Sequence, residues 1–161
     1  MNHLDRLSAP VSAVMTTEIA TLSPEASVEE AARNLVRNRV TGMPVVGFDG
    51  TVVGVLSLTD VATALVGAEA AETTWDDHAF FDPVQLDRLV RSLDADDESS
   101  GKTVAEAMSR RLVIAPASAT IAEAAAIMSR HRVHRVLVVD DTGKLAGILT
   151  AMDVVIVVGA P

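Results

Sequence analysis

Two hydroxyl–acid pairs are the residues best suited to chemistry. Ser57-x-x-Asp60 closes "GVLSLTD" (Gly54–Asp60), and 93 residues later Thr150-x-x-Asp153 closes "GILTAMD" (Gly147–Asp153). A ribose presents two vicinal hydroxyls, and one carboxylate can accept a hydrogen bond from each, at about 1.5–3 kcal/mol per charge-assisted bond. Ser57 and Thr150 place a hydroxyl three residues before the acid, near a helix N-terminus that favours phosphate. Thr59 adds a second hydroxyl in the first phrase, where the second has Met152. Gly54 and Gly147 lack side chains, so a ligand could approach the strand backbone closely. The same spacing also describes a helix cap, in which hydroxyl and acid satisfy orphan amides and suit the helix dipole. Spacing alone leaves both roles open, and they do not exclude each other.

The elements that must position these residues come as a duplication. Shifting the chain by 93 aligns residues 11–65 with 104–158 without a gap. Met15 falls on Met108, Glu30-Ala31-Ala32 on Glu123-Ala124-Ala125, Val45-Val46 on Val138-Val139 and Asp60-Val61 on Asp153-Val154. A tandem repeat of this length governs every other inference about the fold. In each copy a short apolar strand ("IATL", "LVIA") precedes a turn containing Pro24 or Pro116. Ser27 and Thr120 then stand as N-caps, with Glu30 and Glu123 three residues on. The helices that follow put Val28, Ala31, Ala32 and Leu35, or Ile121, Ala124, Ala125 and Met128, on one face. Two apolar runs separated by "FDG" or "DDTG" predict a β-hairpin. Asp60 or Asp153 opens a last short helix. The predicted order is β-α-β-β-α, twice, in an α/β (α+β) fold.

Composition narrows the function. Apolar residues make up 49% of the 161-residue chain and aromatics 2%, so the core is predicted to be aliphatic. There is no cysteine, which excludes disulfides, thiolate metal sites and cysteine nucleophiles. A net charge of −9 argues against general nucleic-acid binding. Its distribution is uneven: −3 over residues 1–65, −7 over 66–103 and +1 over 104–161. With no signal-peptide pattern and no apolar run long enough for a bilayer, a soluble cytoplasmic protein without membrane contact is expected. No P-loop, zinc signature or nucleophile elbow is present, so no enzymatic activity is expected.

The segment between the copies carries Trp75, Phe80 and Phe81, followed after Pro83 by Leu86, Leu89, Val90 and Leu93 at helical spacing. It is predicted to be a linker helix packed on the domain, or a partner-docking or gating element. Asp76, Asp77, His78 and Asp82 are expected to form an acidic loop rather than a metal site, and His131-x-x-His134 is not expected to bind metal.

In both copies these residues resemble the cystathionine β-synthase (CBS) domain family, and the pair resembles a Bateman module. The likeness rests on "VMTTEIATLSPEASVEEAARNLVRNRVTGMPVVGFDGTVVGVLSLTD" and "AMSRRLVIAPASATIAEAAAIMSRHRVHRVLVVDDTGKLAGILTAMD". It implies repeats over residues 8–67 and 103–161, a spacer over 68–102, pseudo-twofold symmetry and dimerisation into a disc through exposed helix faces. It also implies an adenosine-containing ligand in the cleft between the copies: AMP, ADP or ATP as a regulatory ligand, with or without Mg, or S-adenosylmethionine. Asp60 and Asp153 are the implied ribose residues. His134-Arg135, opposite Thr41-Gly42 in register, resembles the phosphate-binding pair in the gamma subunit of AMP-activated protein kinase. Arg supplies a planar fork of donors, and His a donor whose charge responds to pH. Pseudo-symmetry then predicts a stronger site combining Ser57, Thr59 and Asp60 with His134 and Arg135. A poorer site combines Thr150 and Asp153 with Thr41 and Gly42. The expected function is a nucleotide-sensing module acting on an unidentified protein partner; a ligand-free dimerisation scaffold is the alternative.

Overall fold

The computed structural model describes residues 6–66, 91 and 100–159. The spacer residues singled out above, from Trp75 to Leu93 apart from Arg91, and the acidic loop lie outside them. Among the described residues ten regular elements follow in chain order: α1 (Val28–Asn38), β1 (Gly42–Val46), β2 (Val52–Ser57), α2 (Leu58–Val66), α3 (Val104–Ala107), β3 (Ile114–Pro116), α4 (Ile121–His131), β4 (Arg135–Val139), β5 (Leu145–Thr150) and α5 (Ala151–Gly159). A 3-10 turn at Val11–Ala13 precedes them. The mixed α and β content in two small sheets agrees with the predicted class.

The chain divides into two compact units. The first comprises Ala20–Phe48 and Val53–Arg111; the second comprises Met1–Ile19, Asp49–Val52 and Leu112–Pro161. Each unit therefore contains the helices and sheet of one repeat together with the leading segment of the other.

In the first unit, α1 starts where the sequence predicts. The Ser27 hydroxyl accepts the Glu30 amide at 3.1 Å, and Val28, Ala31, Ala32 and Leu35 form the buried face. These side chains pack with Met43 and Val45 of β1, Leu56 of β2, and Leu58 and Val61 of α2. Val104 and Met108, from the segment that leads into repeat two, complete this core. Burying each such Val, Leu or Met contributes about 1.5–3 kcal/mol, so the borrowed segment is a structural part of the unit. The predicted "IATL" strand contracts to one parallel bridge, Leu22 to Val45.

The second unit is built alike and has a fuller sheet. β3 runs parallel to β4, with Ile114 opposite Leu137. β4 runs antiparallel to β5, with Val138 opposite Gly147 and a bulge between Val138 and Val139. α4 opens on a full capping box: the Thr120 hydroxyl accepts the Glu123 amide at 3.2 Å, and Glu123 Oε2 accepts the Thr120 amide at 2.8 Å. Val11 of the N-terminal turn lies in the core beside Ala115, Ala124, Val136 and Leu149.

Both long helices end on an arginine in the left-handed region, Arg39 at φ 54° and Arg132 at φ 53°. Each amide reaches back to helix carbonyls, Leu35 and Val36 for Arg39 and Met128 and Ser129 for Arg132. Glycine is the usual residue for such an end.

Candidate functional site

β2 delivers Ser57 to the start of α2, and β5 delivers Thr150 to the start of α5. In the first unit Asp60 Oδ2 accepts the Ser57 amide at 2.7 Å and the Ser57 hydroxyl at 2.6 Å. The Ser57 Oγ in turn accepts the Asp60 amide at 3.2 Å. The second unit repeats this to within 0.1 Å: Asp153 Oδ2 accepts the Thr150 amide at 2.7 Å and hydroxyl at 2.7 Å, and Thr150 Oγ1 accepts the Asp153 amide at 3.2 Å. Both pairs are reciprocal capping boxes on half-buried helix starts, so the capping role is real in both copies. In each, the cap bonds fall on Oδ2 and leave Oδ1 outside the cap. A carboxylate at the positive end of a helix, with one oxygen outside the cap, can still take a hydroxyl donor from a ligand.

The residues just before β1 and β4 lie beside these caps within their own units. The Thr41 carbonyl accepts the Leu58 amide at 2.9 Å, and the His134 carbonyl accepts the Ala151 amide at 2.8 Å. Arg135 pairs with Thr150 in the β4–β5 register. A side chain placed at Gly42 would meet the Ser57 Cα at 3.7 Å. The second unit thus sets the backbone of His134 and Arg135, both exposed, next to its hydroxyl–acid cap, where the first has Thr41 and a bare glycine. His134 and Arg135 share a unit with Thr150 and Asp153, and Ser57, Thr59 and Asp60 share the other.

Gly54 and Gly147 have a packing duty. A Cβ at Gly54 would lie 2.4 Å from the Met108 Sδ and 3.0 Å from the Ser109 carbonyl oxygen. A Cβ at Gly147 would lie 2.5 Å from the Met15 Sδ and 3.0 Å from the Thr16 carbonyl oxygen. Backbone bridges from Ser109 to Val55 and from Thr16 to Ile148 hold those segments against the sheets. The side of each glycine that lacks a side chain therefore faces a methionine of the borrowed segment.

One feature at the start of α1 escapes the pattern of the sequence. Glu29, in the first turn of α1, is only 8% exposed. Its Oε1 accepts the Ser100 amide at 2.6 Å. Burial pushes its carboxyl up, but hydrogen bonds, those from Ser100 foremost, together outweigh that and hold it below its ordinary value. The only sequence signal is an asymmetry: Glu29 aligns with Ala122 in the repeat. No helix among the described residues is long and apolar enough to cross a membrane.

Comparison with known proteins identifies the repeat. The CBS domain matches twice, over residues 11–67 and 104–159. The protein MJ1426 of Methanocaldococcus jannaschii is 30% identical over 74% of this chain and 73% of its own length. The chloroplastic CBS domain-containing protein CBSX1 of Arabidopsis thaliana is 30% identical over 86% of this chain, which spans 58% of that protein. Among solved structures, CBSX2 in complex with AMP superposes with a TM-score of 0.65 at 28% identity, covering 91% of this chain and 93% of that one. Two family matches, falling on the two copies of the hydroxyl–acid cap, place the chain in the CBS domain family as a tandem pair.

Proposed function

We propose that the protein is a regulatory ligand-sensing module, without catalytic activity of its own, that binds an adenine nucleotide and thereby alters its interaction with a protein partner. The carrying observation is the pair of duplicated caps, each with a carboxylate oxygen outside the cap, in a chain similar to a protein solved with AMP. In this proposal Asp60 and Asp153 take ribose hydroxyls, and Ser57, Thr59, Thr150, His134 and Arg135 serve the hydroxyl and phosphate groups. AMP, ADP and ATP all fit this chemistry, the last two with or without Mg; S-adenosylmethionine offers the same ribose without the phosphate. Micromolar affinity requires about 8 kcal/mol, which two ribose bonds, several phosphate bonds and a buried base supply.

Calorimetric titration of the purified chain with AMP, ATP and S-adenosylmethionine, repeated on Arg135→Ala, tests the proposal. The expected result is saturable nucleotide binding that weakens in the variant. Baseline heats for all three compounds would leave the phrases as helix caps alone.

A scaffold reading has its own support. Met152, Val155, Ile156 and Val158 of α5 are exposed, three of them by 60% or more, and form an apolar row suited to self-association. A homodimer through α5 is compatible with ligand sensing. Sedimentation of wild type and Ile156→Asp measures it, with loss of the dimer expected in the variant.

A further inference from the structure

Helix α2 is held at both ends by charge. At its start Asp60 closes the cap described above. At its end, where carbonyls lack intrahelical partners, the Lys102 Nζ donates to the Ala64 carbonyl at 2.8 Å, a cation at the negative end of the helix dipole. The backbone of Lys102 is fixed in turn. Its amide donates to the Ser100 Oγ at 3.3 Å, and its carbonyl accepts the Val28 amide of α1 at 3.1 Å. The Ser100 amide is held by Glu29. Glu29 Oε2 is buried without a hydrogen-bond partner among the described residues, a cost that a solvated surface acid does not bear.

This arrangement belongs to one copy only. The shift of 93 places Ala122 at Glu29, Leu7 at Ser100 and Ala9 at Lys102. The chain leaves α2 after Val66 and by Lys102 is back on the same helix, about to enter the segment that carries Val104 and Met108.

We infer that Lys102, with the Glu29–Ser100 bond behind it, relays occupancy at Asp60 from α2 to the segment leading into repeat two. The inference rests on the nucleotide reading above and adds the route of its output. Ribose hydroxyls donating to Asp60 Oδ1 leave the cap on Oδ2 in place and fix the carboxylate from its other side, which tightens the first turn of α2. The helix has nine residues, about 13 Å in length, and moves as one body that carries the Ala64 carbonyl with it. Lys102 follows that carbonyl, and Ser100–Thr103 follow Lys102. Linkage is reciprocal, so an effect of ligand on this segment returns as an equal effect of the segment on affinity.

Hydrogen exchange on the full chain with and without AMP, read by peptide mass, tests the relay alongside calorimetry. AMP is expected to slow exchange at residues 58–62 and also at the amides of Ser100 to Val104. Lys102 is exposed, so Lys102→Met keeps the fold. That variant should retain the protection at 58–62, lose it at 100–104, and bind AMP about fivefold more weakly. Glu29→Gln, which preserves shape, should weaken the second protection in the same direction. Protection confined to 58–62 in wild type would overturn the relay and leave the nucleotide reading standing. So would a Lys102→Met protein with both protections and unchanged affinity. Absence of AMP binding altogether would overturn the nucleotide reading and the relay with it.

Discussion

At Asp60 and Asp153 the helix cap and the proposed ligand contact draw on one carboxylate, and substitution can divide the two uses. Asp60→Ala removes the acceptor for the Ser57 amide and should destabilise the chain by about 0.5–2 kcal/mol while abolishing nucleotide binding at that copy. Asp60→Asn keeps an oxygen for the cap but loses the charge. Its melting temperature should stay near wild type while calorimetry shows weakened binding; equal losses in both would leave the cap as the only role. At Gly54 the expected effect is purely structural. Gly54→Ala drives a methyl into the Met108 thioether and the Ser109 carbonyl. A cost of about 1–3 kcal/mol is expected, and adding Met108→Ala should cost less than the sum of the two single losses, because the clash with the thioether goes with that side chain. The hydroxyl–acid caps were legible because they are local: three residues and a helix start define them. The methionine opposite each glycine was not, since Met15 and Met108 announce themselves only as a matched pair, and nothing in the chain says which sheet each one meets.

At the scale of elements, periodicity and capping residues located α1 and α4 and chose their buried faces, because both depend on neighbours three or four residues away. The first strand of repeat one was less legible. Its pairing with Val45 is non-local, and only Leu22 makes it. Helix ends conceal a further difference, since Arg39 and Arg132 occupy a backbone region that a Cβ disfavours by about 1–2 kcal/mol. Arg39→Gly and Arg132→Gly should each raise the unfolding free energy by up to about 1 kcal/mol, as read by thermal or urea denaturation; a fall would show that the arginine side chains contribute more than the strain they impose. The Glu29–Ser100 bond gives α1 a pH dependence. Its folded-state pKa lies below the ordinary 4.5, so its stabilisation is fully present above that value and is lost as pH falls through the depressed one. Wild type should therefore exceed Glu29→Gln in stability at neutral pH, and the two denaturation midpoints should converge in acid. A gap independent of pH would assign the difference to packing instead of charge.

For the molecule as a whole, the duplication was plain from the sequence, whereas the exchange of leading segments was not. A repeat looks self-contained on paper, with its strand, helix and hairpin all present. The core of the first unit nevertheless requires Val104 and Met108, and that of the second requires Val11. Residues 8–67 expressed alone should consequently lack a cooperative unfolding transition by circular dichroism, and mixing them with residues 103–161 should restore one. A cooperative, monomeric 8–67 would show that the borrowed segment is dispensable.

That exchange changes what breaking the chain means. Cleavage anywhere between α2 and α3 severs the peptide without dividing the protein into independent pieces, since each resulting fragment still holds part of both cores. The nicked molecule becomes a heterodimer whose persistence depends on dilution, and an unbroken backbone makes the same association intramolecular, governed by an effective concentration. Here the covalent link works as a fixed stoichiometry: each half is made with one copy of the piece its counterpart lacks.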